Sequence, residues 1–216
     1  MTNAPQSWRS LRWITGEPPA IAQALWSALA CLLLLCFALY LNYAWQAIWF
    51  PFGLDYGEGE IWQQAAMIPG RLMYGNINHP PFIGFEYPPL YHLLTRLFTW
   101  RLENFLPAGR FVSVASASVV AASVASLVTL GSSAESPNTV RRAAMIAALL
   151  PFTLHPLLQF SAWARVDLLA IAFSVGGVAI AARAAAAGAA LSCFSAFCGR
   201  GLYQTNRIGC PRWPPH

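Results

Sequence analysis

Three carboxylates arrive within six residues in Asp55-Tyr56-Gly57-Glu58-Gly59-Glu60. A carboxylate at a membrane–water boundary can stay ionised and act as general base toward a hydroxyl, or help hold a divalent cation. Asp55 leads that set, with Glu58 as a second catalytic candidate and Glu60 as a substrate-binding one. Gly57 and Gly59 permit tight turns that can bring two carboxylates together. The plainer role for Asp55 is to cap the helical segment that follows, where acidic residues are favoured. Around this cluster stand other groups able to bind or transfer: Arg71, His79, Glu86, Tyr87 and His92, and later Arg165 and Asp167. Arginine suits an anionic phosphate, which it can grip with two N–H groups at once. Histidine is the side-chain type suited to acid–base work near neutral pH, which makes His79 and His92 candidates.

The elements that must position these groups are apolar. From Pro18 to Leu54 there is no charged side chain, and the chain as a whole is 57% hydrophobic and 10% charged. A soluble domain carries about 25% charged residues, so the chain belongs in a membrane. Its fold class is an all-α polytopic helix bundle. The net charge of +5 comes from arginines scattered singly between apolar segments; they form no patch for nucleic acid and instead anchor loops at the bilayer. The first apolar run is too long for a signal peptide and ends in Tyr40, Tyr43, Trp45, Trp49 and Phe50, an interfacial aromatic belt, so it is an uncleaved anchor. The five cysteines lack metal-type spacing.

Hydropathy predicts five spans, at about 21–45, 88–102, 110–130, 143–164 and 166–187. The second is short and interrupted by Arg96. The fourth carries Pro151 and Pro156, so a kink is expected. The transmembrane domain is 21–190, after a segment 1–20. Its first loop, 51–87, holds Asp55, Glu58, Glu60 and Glu86 against Arg71. Within it Glu60–Ile68 has helical apolar spacing and predicts an amphipathic helix lying at the interface, stopped by Pro69-Gly70. Arg9 and Arg12 place the N-terminus in the cytoplasm and the acidic loop outside. Alternation over five spans then returns Arg96, Arg101 and Arg110 inside and puts Arg141 and Arg142 outside, against the same rule; either the short second span does not cross fully, or the third loop tolerates the pair. Residues 191–216 change character, which suggests a shifted reading frame and a larger parent protein.

Three motifs occur in order: Asp55-Tyr-Gly-Glu-Gly59 ending the first span, Glu86-Tyr-Pro-Pro-Leu-Tyr-His-Leu-Leu94 opening the second, and Ser161-Ala-Trp-Ala-Arg165-Val-Asp167 before the fifth. Together they resemble the polytopic C-type glycosyltransferases related to protein O-mannosyltransferases and to bacterial aminoarabinose or lipopolysaccharide-core sugar transferases. The resemblance implies a polyprenyl-phosphate sugar as donor, a glycan, lipid or protein as acceptor, and inversion at the anomeric carbon. It also implies a cell-envelope location, with Asp55 at the position of the catalytic acid residue. Members of the family differ in metal dependence, so the resemblance leaves a divalent metal among the carboxylates open. The alternatives from other classes are a transporter subunit, which would place ionisable groups inside several spans, and a non-catalytic membrane assembly protein.

Overall fold

The computed structural model describes residues 20–68, 78–80, 82, 84–85, 87–132 and 135–200, with side chains as far as 188. Within them every element is helical: α1 (Ala20–Trp49), α2 (Tyr56–Ala66), α3 (Leu90–Leu102), α4 (Phe105–Gly131), α5 (Pro137–Leu149), a 3₁₀ turn (Leu150–Thr153), α6 (His155–Ala162) and α7 (Asp167–Arg200).

Local chemistry sets the boundaries. Asp55 and Asn104 cap α2 and α4 by accepting from Gly57 and Leu106 N–H groups, and Ser136 caps α5 ahead of Pro137. These caps satisfy donors that a helix start leaves free. Pro88 and Pro89 hold the chain out of a helix until Leu90, and Glu103 closes α3 in the left-handed region. Pro151 and Pro156 each remove a helical N–H, and the chain between α5 and α6 bends by 73°. The expected kink in the fourth apolar segment is therefore a full break.

Among the described residues three helices are long and apolar enough to cross a membrane: Ala20–Trp49, Phe105–Gly131 and Asp167–Gly188. The bent pair Pro137–Thr153 and His155–Ala162 makes a fourth if it is one span. This is the helix set of a membrane-embedded protein. The span expected at 88–102 is the exception. Its helix has 13 residues, about 20 Å at 1.5 Å per residue, against roughly 30 Å of hydrocarbon.

Contacts show which helix ends meet. Near its start α4 carries Arg110, which hydrogen-bonds carbonyls at and beyond the end of α1 and the Glu58 side chain of α2. Glu58 also reaches Ala164, between α6 and α7. So α1 ends, α4 begins, α6 ends and α7 begins at one end of the bundle, which also holds α2 and α3. The start of α1 and the α4–α5 connection lie at the other end. Arg96, Arg101 and Arg110 sit with the acidic loop, and Arg141 and Arg142 share the side of the start of α1, the arrangement expected where the short second span does not cross fully.

Small residues let α4 run through the middle. Ala108, Gly109, Ser113, Ser116, Ala117 and Ala121 are buried, which permits close helix approach without bulky side chains. One core joins Tyr40 and Ala44 of α1 to Ala117, Ala121, Phe152 and Leu168; a second joins Ile61, Tyr91 and Val112 beneath α2 and α3. The apolar face of α2 (Ile61, Ala65, with Ile68 just beyond) is thus buried against protein, and α2 begins at Tyr56, four residues before the expected segment. The proposed stop at Pro69-Gly70 lies outside the described residues.

Candidate functional site

The carboxylates of the Asp55–Glu60 motif have separate fates. Glu58 is fully buried and faces the equally buried Arg110 in a two-pronged ion pair, Arg110 Nε to Oε1 at 2.9 Å and Nη2 to Oε2 at 2.7 Å. Ala164 N–H donates to Oε1 at 2.7 Å and Leu54 N–H to Oε2 at 2.6 Å. An ionised carboxylate offers about four acceptor positions, and all are filled. Burial pushes the Glu58 carboxyl upward; the Arg110 guanidinium and the Ala164 and Leu54 N–H groups outweigh it and hold the carboxyl below its usual value. Arg110 is filled as well. Its remaining N–H groups donate to the carbonyls of Ala47 (2.6 Å), Phe50 (2.6 Å) and Phe52 (2.7 Å).

Asp55 is held differently. Its Oδ2 accepts the Gly57 N–H at 3.2 Å and pairs with Arg165 Nη2, 110 residues away. Among the described residues nothing donates to Oδ1. The Asp55 and Arg165 side chains remain 23% and 27% exposed, so this pair meets water while the neighbouring Glu58–Arg110 pair does not. Arg165 stacks over Phe160, 5.6 Å from the ring centre. Its backbone is pinned, the N–H donating to Ser113 Oγ at 3.2 Å and the carbonyl accepting from the same hydroxyl at 3.3 Å. Tyr91 steadies Ser113 from α3, with its hydroxyl 3.0 Å from Ser113 Oγ and donating to the Gly109 carbonyl at 2.7 Å. Gly57 leaves room for Arg165: a Cβ there would lie 3.1 Å from Arg165 Nη1.

The two pairs share a frame. Glu58 lies one helical turn beyond Asp55, and Ala164 directly precedes Arg165. The buried clamp therefore fixes both chain segments that bear the exposed pair.

No protein-family model matches this chain, and no curated protein or solved structure matches it. The chemistry must be argued from these residues alone.

The other expected site residues fall around this centre. Glu60 is exposed on α2 beside a cavity walled by α2 and residues near Phe82. His79 is exposed, its carbonyl accepting from Phe82 N–H at 3.0 Å, and Tyr87 is 37% exposed. Asp167 is exposed in the first turn of α7, where an acid complements the helix dipole; it does not join Arg165 in an ion pair. Arg71 and Glu86 lie outside the described residues, as do 201–216. Cys31 and Cys36 are free thiols.

For a divalent metal the donor set is unsuited here. Among the described residues no three His, Cys, Asp or Glu side chains converge, and the two motif carboxylates nearest each other each engage an arginine. His92 is fully buried, with neither ring nitrogen hydrogen-bonded, and burial lowers its pKa.

Arg110 is the site residue that the motif reading passes over. The signal was present: it is the single charged residue in the 27 residues of α4, and an isolated charge in an apolar helix calls for a partner.

Proposed function

We propose that this chain is a membrane glycosyltransferase that moves a sugar from a polyprenyl-phosphate donor to an acceptor hydroxyl or amine at the extracytoplasmic face of a bacterial plasma membrane. The observation that carries this reading is the partly exposed Asp55–Arg165 pair, with no donor to Asp55 Oδ1 among the described residues. Transfer from a lipid phosphate needs a base for the acceptor and a cation for the leaving group, within a few ångströms of each other, where membrane meets water.

In this reading Asp55 Oδ1 takes the acceptor proton as the acceptor oxygen or nitrogen bonds to the anomeric carbon. The bond from that carbon to the phosphate oxygen breaks from the opposite face, and the electron pair leaves with the polyprenyl phosphate. Beyond the N–H held by Asp55, Arg165 has three N–H groups on its Nη atoms to meet that charge, its Nε being buried. Glu58 and Arg110 hold the geometry and exchange no proton, because both are saturated. Arg141 and Arg142 lie at the end opposite the site, and Arg183, well down α7, bonds Ser126 near the end of α4 at 2.7 Å. On the positive-inside rule we assign that end to the cytoplasm and the site to the extracytoplasmic side, an assignment against which exposed Arg96 and Arg101 stand at the site end.

One observation favours a non-catalytic assembly protein instead: Asp55 is already a helix cap and an ion-pair partner, two structural roles that require no substrate. Membranes expressing the chain, supplied with a radiolabelled polyprenyl-phosphate sugar and envelope glycolipid, decide between them. Transfer that falls about 10²–10⁴-fold in Asp55→Asn is expected for a general base. Transfer no higher than in control membranes, or undiminished in Asp55→Asn, refutes the transferase reading.

A further inference from the structure

Helix α3 carries an unpartnered face, and its surroundings say what covers it. Tyr91 meets Gly109 and Ser113 of α4, Thr95 lies beside Gly109, and Phe98 packs on Phe111 with 5.1 Å between ring centres. About 10 Å of α3 thus falls on about 6 Å of α4, at 1.5 Å per residue, so α3 lies across the start of α4 and not along it. Around the axis of α3, at about 100° per residue, four sides differ in chemistry. Tyr91, His92 and Thr95 are buried, and opposite them Leu90, Leu93, Leu97 and Trp100 form a stripe 44%, 46%, 61% and 84% exposed. Leu94 and Phe98, on one side, line an apolar cavity with Val119 of α4 and Phe173 of α7, both part-way along membrane-length helices. Arg96 stands on the other side, its guanidinium carbon 5.4 Å from the ring centre of Phe105, the first residue of α4. Trp62 packs edge-on against that same ring. The edge of Leu94 and Phe98 therefore points toward hydrocarbon and that of Arg96 toward water, with the stripe facing sideways between them. Arg101 borders the stripe in the last turn, where its long stem can carry the charge outward. Among the described residues neither arginine pairs with a carboxylate; the acid next along the chain, Glu103, is exposed beyond the helix.

We propose that α3 is an interfacial helix that docks on anionic phospholipid, its leucine–tryptophan stripe entering the boundary between headgroups and acyl chains while Arg96 and Arg101 bind headgroup phosphates. An apolar stripe edged by arginine, with tryptophan at its end, is the composition of helices that lie in that boundary, and guanidinium suits phosphate. A second copy of this chain is the lesser fit, because pairing two stripes would gather four arginines along one seam. The inference needs only a membrane-embedded bundle and stands apart from the transferase reading.

The test spin-labels Leu90→Cys, Leu93→Cys, Leu97→Cys and Trp100→Cys one at a time, in the cysteine-free full chain in phosphatidylcholine nanodiscs with increasing phosphatidylglycerol. Depth is read from the label's access to oxygen and to a water-soluble nickel complex. All four labels are expected at one depth, roughly 5–10 Å into the boundary. Depth that changes steadily along the helix, by about 15 Å from first label to last, overturns the proposal in favour of an inserted helix. Labels reached only by the nickel complex overturn it outright. The phosphatidylglycerol fraction that half-immobilises the label at position 97 is expected to rise about fivefold in Arg96→Gln and in Arg101→Gln. Immobilisation indifferent to phosphatidylglycerol, or to both substitutions, overturns the phosphate contact and the proposal with it. Chains that enter the discs in pairs, with dipolar broadening between their labels, overturn it in favour of a second copy. Both arginines and all four labelled positions are exposed, and the unfolding transition of each variant checks that the fold is kept.

Discussion

Glu58→Gln is the most informative single perturbation of this fold. Each Glu58 oxygen accepts one Arg110 N–H and one backbone N–H. Glutamine keeps one oxygen and places an NH₂ where the other stood, so two buried donors confront a third. The Arg110 charge also loses its counter-ion in a fully buried position. Removing one member of such a pair destabilises by about 3–5 kcal/mol. Reversible unfolding in mixed micelles, driven by rising SDS and followed by tryptophan fluorescence, measures this directly. Arg110→Met carries a comparable penalty, and also strips donors from the carbonyls of Ala47, Phe50 and Phe52. Arg110→Lys does not rescue it, since three donors on a point charge cannot reproduce the planar fork. The combined Glu58→Gln, Arg110→Met variant should be more stable than the two single losses summed, by up to about 3 kcal/mol of coupling. A loss below about 1 kcal/mol for Glu58→Gln, or strict additivity in the cycle, refutes the clamp as the support of the site.

Three further outcomes follow from the same geometry. In a cysteine-free background, Glu60→Cys and Glu103→Cys should react with a membrane-impermeant thiol reagent from the same side, and labelling from opposite sides would mean that α3 crosses. His92 is buried with its pKa lowered, so the unfolded chain binds its proton first as pH falls. Stability is then full above about 6.5 and declines below it, at no more than about 1.4 kcal/mol per pH unit; His92→Phe should flatten that decline. Glu58, also lowered, contributes stability that is lost only further down, below about 4.3, so Glu58→Gln should leave the upper limb unchanged. Gly109→Ala would set a methyl 2.8 Å from Ala164 Cβ, destabilising by about 1–3 kcal/mol, and Ala164→Gly should recover most of it in the same unfolding assay.

The long apolar helices were legible because a run such as Ile21–Leu41 leaves no other reading, and Pro151 with Pro156 marked the break. Asp55 as a cap was legible too, since capping is local. The position of α3 was not. Its Leu90, Leu93, Leu97 and Trp100 are exposed while Tyr91, His92 and Thr95 are buried, a one-sided pattern that hydropathy averaging turns into a weak span. Helical phase carried the correct signal there. The assignment of roles within Asp55-Tyr-Gly-Glu was beyond the sequence for another reason. Which carboxylate is saturated depends on partners 52 and 106 residues onward, and no spacing rule links positions so far apart.

The clamp also has an order of assembly. Glu58 leaves the ribosome 52 residues ahead of Arg110, an interval of roughly 3–10 s at about 5–20 residues per second. Until Arg110 is made, Glu58 and the carbonyls of Ala47, Phe50 and Phe52 lack the guanidinium that joins them. Three of the four donors to Glu58 come from residues 52 and 106 positions onward, so the clamp cannot close until Ala164 has been made.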